Sequence, residues 1–298
     1  MGIWPIHFET LKLDKSCKNE KKLLNENKPD IDLQKEALKE LNSLIGLNKV
    51  KQIINELYAF VQLQNKRKKE GLLTSPIVLH MVFKGNPGTG KTTVARILGK
   101  LFKSIGILKK GHVVEVERAD LVGQYIGHTA HRVQENVKKA LDGILFVDEA
   151  YSLARGGEKD FGKEAIDTLV KAMEDNKNNF ILILAGYRDE MEYFLNTNPG
   201  LRSRFPIQID FPDYTIDELL LIAELMIKNR QYVLTNTAKK KIMKVLIYDK
   251  ESREMGNARL VRNIIERAIR KHAVRIINKR TTTRDDLMTI DGIDIRED

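Results

Sequence analysis

The stretch "GNPGTGKT", Gly85 to Thr92, places three glycines around a lysine followed by a hydroxyl residue. That spacing suits phosphate chemistry. The glycines let backbone N–H groups turn inward around an anion, and a helix starting at the lysine points its positive end at the same place. Lys91 then reaches the outer phosphates, and the Thr92 hydroxyl is a ligand for magnesium. Gly85, Asn86, Pro87, Gly88, Thr89, Gly90, Lys91, Thr92 and Thr93 form the expected ATP-binding set. Downstream, "ILFVDEA" (Ile144–Ala150) is an apolar strand ending in adjacent carboxylates. Asp148 is expected to hold magnesium, directly or through water, and Glu149 to be the base that polarises the attacking water. Two carboxylates at that distance beyond a phosphate loop point to hydrolysis of ATP with Mg2+.

A second stretch is harder to place. "LVGQYIGHTA" (121–130) pushes Tyr125 and Ile126 out between Gly123 and Gly127, after a run that reads as a strand. Taken alone, the pair reads as a buried anchor in a turn.

The elements that must hold these residues are visible as apolar periodicity. Runs at Val78–Phe83, Val113–Val116, Ile144–Val147, Phe180–Leu184 and Ile207–Ile209 alternate with helical stretches, which predicts a parallel five-stranded sheet sandwiched by helices. Before them, Asp32–Ser43 and a stretch after Gly46 read as helices, the second ending in "NKRKKEG" with Gly71 as its C-cap. After Phe211 the pattern is helical, at Thr215–Lys228, Thr237–Leu246 and Asn257–Ile277, so an all-helical small domain is expected. The division is residues 1–40 as a partly helical N-terminal extension, 41–212 as an α/β nucleotide-binding domain and 213–298 as a helical lid.

Composition narrows the partners. The chain has 298 residues, 42% hydrophobic and 31% charged, which is ordinary for a globular protein. The apolar run Ile181–Ala185 is far too short to cross a bilayer, so no membrane is expected. The N-terminus has no basic-then-apolar signal pattern, and a single cysteine, Cys17, fits a reducing compartment, so the cytoplasm is expected. Net charge is +10, with 51 Lys and Arg against 41 Asp and Glu. From Arg259 to Arg284 the cations are dense, but interleaved aromatics for base stacking are missing. Leu260, Ile264, Ile265, Ala268, Ile269 and Ile276 instead mark one helix face, so a solvated helix is expected there rather than a nucleic-acid surface.

From about Leu41 to Ala273 the residues resemble the AAA+ ATPases. "LIGLNKVK" (44–51) is similar to the family segment that brackets adenine, which implies Ile45 and Gly46 as adenine contacts. "NPGLRSRF" (198–205) resembles the arginine-finger segment and implies Arg204 as the finger, with Arg202 second, serving a neighbouring subunit's nucleotide. "GNAR" (256–259) resembles the second sensor, with Arg259 aimed at the nucleotide. "GNPGTGKTTVAR", "YIGHTA" and "AGYRDEM" are typical of the CbxX/CfqX branch. In this family the loop after the second strand lines a central pore, which implies that Tyr125, Ile126 and Gly127 grip an extended polypeptide. The resemblance therefore implies a homo-oligomeric ring, a hexamer, that remodels a client protein. Likeness to one member of the branch implies a role in spore formation. A rubisco-activase-like remodeller and a nucleic-acid motor or loader are the alternatives. One departure stands out: Tyr187 occupies the place after the fourth strand where a polar residue, often asparagine, usually positions the attacking water.

Overall fold

The computed structural model of the chain describes residues 30–296 except 75–76, 126, 157–159, 177–178, 199 and 252–255, and the side chains of 250–251. Cys17, most of the N-terminal extension and Ile126 of the Tyr125 loop lie outside the described residues.

Five strands build one parallel sheet: β1 (Met81–Lys84), β2 (Val113–Val116), β3 (Ile144–Val147), β4 (Ile181–Gly186) and β5 (Ile207–Asp210). Their spatial order is β2-β3-β4-β1-β5. The three inner strands are buried on both faces, as their unbroken apolar runs require, whereas edge strands β2 and β5 carry partly exposed residues. The first strand begins at Met81 rather than Val78, so the apolar signal ran ahead of the sheet pairing.

Side chains alternate across this sheet, and each face has its own core. Phe83, Phe146, Ile144 and Ile183 pack beneath α1 (Ile31–Ser43), α2 (Asn48–Lys69) and α3 (Lys91–Ser104). Val82, Leu145, Val147, Leu182 and Leu184 face the other way, toward α5 (His128–Ala140), α6 (Gly162–Asp175) and α7 (Arg188–Thr197). Two single-turn helices, α4 (Arg118–Leu121) and α8 (Leu201–Arg204), follow β2 and α7. Helix α1 is tied to this body: Ala37 and Leu41 are fully buried, and Lys100 of α3 bonds Glu40 at 2.6 Å. Helix α2 ends as its cations and Gly71 predict. Gly71 is left-handed at φ +69°, and Leu72 N–H donates to Arg67 O at 2.9 Å to satisfy the last turn.

The chain then enters the lid, with α9 (Ile216–Asn229), α10 (Asn236–Glu251), α11 (Asn257–Ile277) and α12 (Arg284–Met288). A capping box at Thr215 and Glu218 starts α9. The lid is not wholly helical, correcting the expectation from its pattern. Strands β6 (Val233–Leu234) and β7 (Thr289–Ile290) pair in parallel. Two residues are too few to show alternation in sequence, and the pairing partner is remote. Leu219, Ala223, Ile265 and Ile290 of the lid belong to the same apolar cluster as Phe83 and Phe211 of the sheet domain. Among the described residues no helix is long and apolar enough to cross a membrane.

Candidate functional site

The phosphate loop leaves the carboxyl end of β1, and the two carboxylates leave the same end of β3. Open parallel sheets gather ligands at this end. The loop is tight because backbone from other elements presses on its glycines. A Cβ on Gly85 would lie 2.4 Å from Phe211 O, and one on Gly88 would lie 2.5 Å from Gly256 O. Gly88 also sits at φ +74° and Gly90 at φ +96°, conformations that side chains disfavour. Thr89, fully buried, closes the turn by donating from Oγ1 to Asn86 O at 2.8 Å. Gly90 starts α3 without a side-chain cap, so the first N–H groups of the helix remain available to an anion.

Lys91 Nζ donates to Gly85 O at 2.8 Å and to Asn86 O at 2.9 Å. Burial holds its pKa below the usual lysine range; the Asp148 carboxylate works against that shift, and the Arg259 cation adds to it. Lys91, Asp148, Glu149, Asp213 and Arg259 thus share one electrostatic neighbourhood. Thr92 is half-buried and Thr93 exposed.

Asp148 is held by its backbone, whose N–H donates to Val116 O of β2 at 2.9 Å. Its Oδ1 accepts from Glu149 N–H at 3.0 Å. Glu149 itself is exposed and left-handed at φ +47°, a costly conformation for a residue with a side chain. Behind it, burial and then the Glu149 charge push the Tyr151 phenol up to about 12. The Tyr151 ring lies 6.0 Å from that of Tyr187, the residue that opens α7 directly after β4.

The lid closes over the loop through Asp213 and Tyr214, which carry no motif in the sequence, and through the start of α11. Asn86 Nδ2 donates to both oxygens of Asp213, at 3.0 and 2.9 Å. Tyr214 O–H donates to Thr89 O at 3.3 Å, and burial pushes that phenol up to about 12. Ala258 N–H donates to Gly88 O at 3.2 Å, which brings the start of α11 onto the loop. Arg259, the next residue, is exposed. Gly46 (φ +61°) lies against Glu218 of the lid, where a Cβ would meet the carboxylate at 2.3 Å, and Ile45 is half-buried beside it. The only sequence hint of this junction was "GNAR", read for its arginine.

The other expected residues sit apart from the loop. Arg204 donates to Glu174 at 2.7 and 3.1 Å and to Gly200 O at 3.1 Å. Arg202 is more exposed, and it donates to Asn196 at 2.8 Å. Tyr125 is 66% exposed and its ring touches only His128 edge-on, at 5.4 Å between centroids, among the ring contacts of the described residues. Gly127 is left-handed at φ +81°, with no atom near enough to meet a Cβ. The bland expectation of a buried anchor does not describe Tyr125. In the basic stretch, Ile264, Ile265, Ala268 and Ile276 are buried while Arg267 and Arg270 face out.

The residues fit a nucleoside triphosphate with magnesium. The loop offers a helix start with no side-chain cap, a half-buried lysine beside it, and glycines held so closely that no side chain could stand in their place. Among the described residues no group of three or more His, Cys, Asp or Glu could hold a metal by itself. Thr92 and Asp148 suit magnesium, which takes one or two protein ligands beside phosphate oxygens and waters.

Residues 81–213 match the family described as "ATPase family associated with various cellular activities (AAA)", and residues 215–298 match the AAA lid domain. The chain is 53% identical over 275 residues to stage V sporulation protein K of Bacillus subtilis, covering 91% of this chain and 85% of that protein. It is 44% identical over 264 residues to a chloroplastic ribulose bisphosphate carboxylase/oxygenase activase of Cyanidioschyzon merolae, covering 87% and 90%. The plasmid-encoded protein CbxX of Cupriavidus necator is 44% identical over 255 residues, covering 85% and 80%. In fold, the crystal structure of the FIGL-1 AAA domain superposes with TM-score 0.58 at 17% identity, covering 85% of this chain and 80% of that one. A phosphate loop on β1, an Asp-Glu pair on β3 and a lid docked on the loop accompany these likenesses, and the chain belongs to the AAA ATPase family.

Proposed function

We propose that this protein is an ATP-hydrolysing remodeller that assembles into a ring, a hexamer, and pulls a client polypeptide through its centre. The observation that carries the threading is the Tyr125 tip: a large ring two-thirds exposed, on the loop between α4 and α5, with Gly127 two residues on, where a Cβ would meet no atom within 4 Å. An exposed tyrosine gains nothing for folding and is suited to intercalate between side chains of an extended chain.

In the ATP site, Lys91 leaves its carbonyl partners to meet the outer phosphates. Thr92 and Asp148 would hold magnesium, which would neutralise phosphate charge. Glu149 accepts a proton from the attacking water, its exposed carboxylate lying next to the metal ligand. Ile45 and Gly46 bracket adenine, and Arg259 reaches the phosphates from the lid. Arg204 leaves Glu174 to serve the neighbouring subunit's nucleotide, with Arg202 beside it. The sheet domain of residues 41–212 does the chemistry, and the lid of 213–298 moves with it.

The name of the Bacillus relative supports service in spore formation. The single cysteine fits a reducing compartment and supports the cytoplasm. The activase relative favours a second reading, in which the client is one large enzyme complex. Photo-crosslinking from position 125, in rings held with ATP by Glu149→Gln, tests the threading. The expected adduct is polypeptide, formed only with ATP. Adducts to nucleic acid, or none in assembled rings, overturn it.

A further inference from the structure

At the junction of loop and lid, one amide makes more connections than its position in "GNAR" suggests. Asn257 is fully buried, and it is the first residue of α11. Its backbone is left-handed at φ +48°, a region that asparagine tolerates better than most side chains. Its Nδ2 donates to Asp213 Oδ1 at 2.8 Å and to Pro87 O at 3.3 Å. Its Oδ1 accepts from Tyr214 N–H at 3.0 Å. One side chain thereby joins three parts: the phosphate loop at Pro87, the crossing into the lid at Asp213–Tyr214, and the helix that carries Arg259.

We propose that Asn257 is a positioning residue that latches the lid onto the phosphate loop and so sets nucleotide affinity. Three observations converge on it. Both ends of the amide are used, so neither a carboxylate nor an aliphatic side chain of that size reproduces its bonds. Asp213 is held at the same time by Asn86 of the loop, so the Asp213 carboxylate is shared between loop and lid. The two neighbours of Asn257 press on Gly88, through Gly256 O near its missing Cβ and through the Ala258 N–H bond. Losing the amide frees the lid to shift, while the sheet that supports Lys91, Asp148 and Glu149 stays intact. The latch rests on the reading of Gly85–Thr92 as the nucleotide site, and it adds a residue outside that loop.

The test is a fluorescent-ADP titration with thermal melts on the full chain. Asn257→Gly keeps the left-handed backbone and removes the amide. Loss of the amide is expected to weaken ADP binding by roughly tenfold; the melting temperature falls as well, because Asp213, Pro87 O and Tyr214 N–H lose a buried partner, and the titration is run below the melting temperature of the variant. Asn257→Asp sets two carboxylates against each other and should bind ADP more weakly still. Adding Asp213→Asn to it exchanges donor and acceptor, and should recover part of the affinity. Wild-type affinity in Asn257→Gly, or no recovery when Asp213→Asn is added to Asn257→Asp, would overturn the latch. Arg259→Ala and Lys91→Ala are titrated in parallel. Unchanged affinity in Arg259→Ala removes the sensor reading alone, since the latch acts on Pro87 and Gly88. Unchanged affinity in Lys91→Ala removes the nucleotide-site reading and the latch with it.

Discussion

Gly88 and Gly127 are both left-handed, at φ +74° and +81°, yet their surroundings differ completely. Backbone atoms of the lid lie within 3 Å of where a Cβ on Gly88 would stand, and nothing lies within 4 Å at Gly127. The phosphate loop is fixed from several sides at once, by Phe211, Asp213, Tyr214 and Asn257. The Tyr125 tip has one edge contact to His128 and a bond from His128 N–H to Tyr125 O. The first region gives up conformational freedom and holds its backbone donors in one arrangement. The second is held by few contacts among the described residues. On the proposed reading both are needed, because a rigid site would set the chemistry and a sparsely held tip would meet varied side chains.

Substitutions can break that contrast, and the largest effect belongs to the rigid region. Glu149→Gln should lower ATP turnover by roughly 10²–10⁴ while leaving nucleotide binding close to wild type, because it removes the proposed base and keeps the shape. Steady-state turnover with a nucleotide titration checks it. Gly88→Ala should follow: its methyl drives into Gly256 O and displaces the lid, so ADP affinity should drop along with stability. Gly127→Ala meets no atom and should show only the backbone cost of about 1–2 kcal/mol, read from paired denaturant melts.

Acid offers a further separation. His80 is buried between the Phe180 and Phe205 rings and accepts from Leu182 N–H at 3.0 Å. Burial holds its pKa down to about 4, against 6.5 for an ordinary imidazole. Above pH 6.5 both folded and unfolded forms are neutral and the stability is complete. As pH falls from 6.5 toward 4 the unfolded chain binds a proton that the fold refuses, so stability declines by about 3 kcal/mol at most. The melting temperature should drop across that window, and His80→Gln should flatten the drop.

The strongly patterned parts of this fold were legible in the sequence. Val113–Val116 and Ile144–Val147 are strands with the bounds their apolar runs suggested, and α11 spans Asn257–Ile277 as its periodicity implied. The loop residues were legible because phosphate chemistry demands their types at short range. Asn257 was not, because its partners stand 43, 44 and 170 residues away and its burial exists only once the lid docks. The β6–β7 pair was hidden for the same reason, having two residues per strand and no period to read. Tyr125 was legible as unusual, but a Tyr between glycines reads equally as anchor or tip until the surrounding fold decides its exposure.

The most direct measurement compares ATPase activity, melting temperature and client unfolding in Tyr125→Ala. If the ring is an exposed grip, the variant hydrolyses ATP at a rate comparable to wild type and loses remodelling. Its stability then stays within about 0.5 kcal/mol, as expected for a surface substitution. A buried aromatic would instead cost about 3–5 kcal/mol and carry the ATPase down with the fold. Undiminished remodelling by a stable Tyr125→Ala ring would contradict the claim that this tip moves the polypeptide.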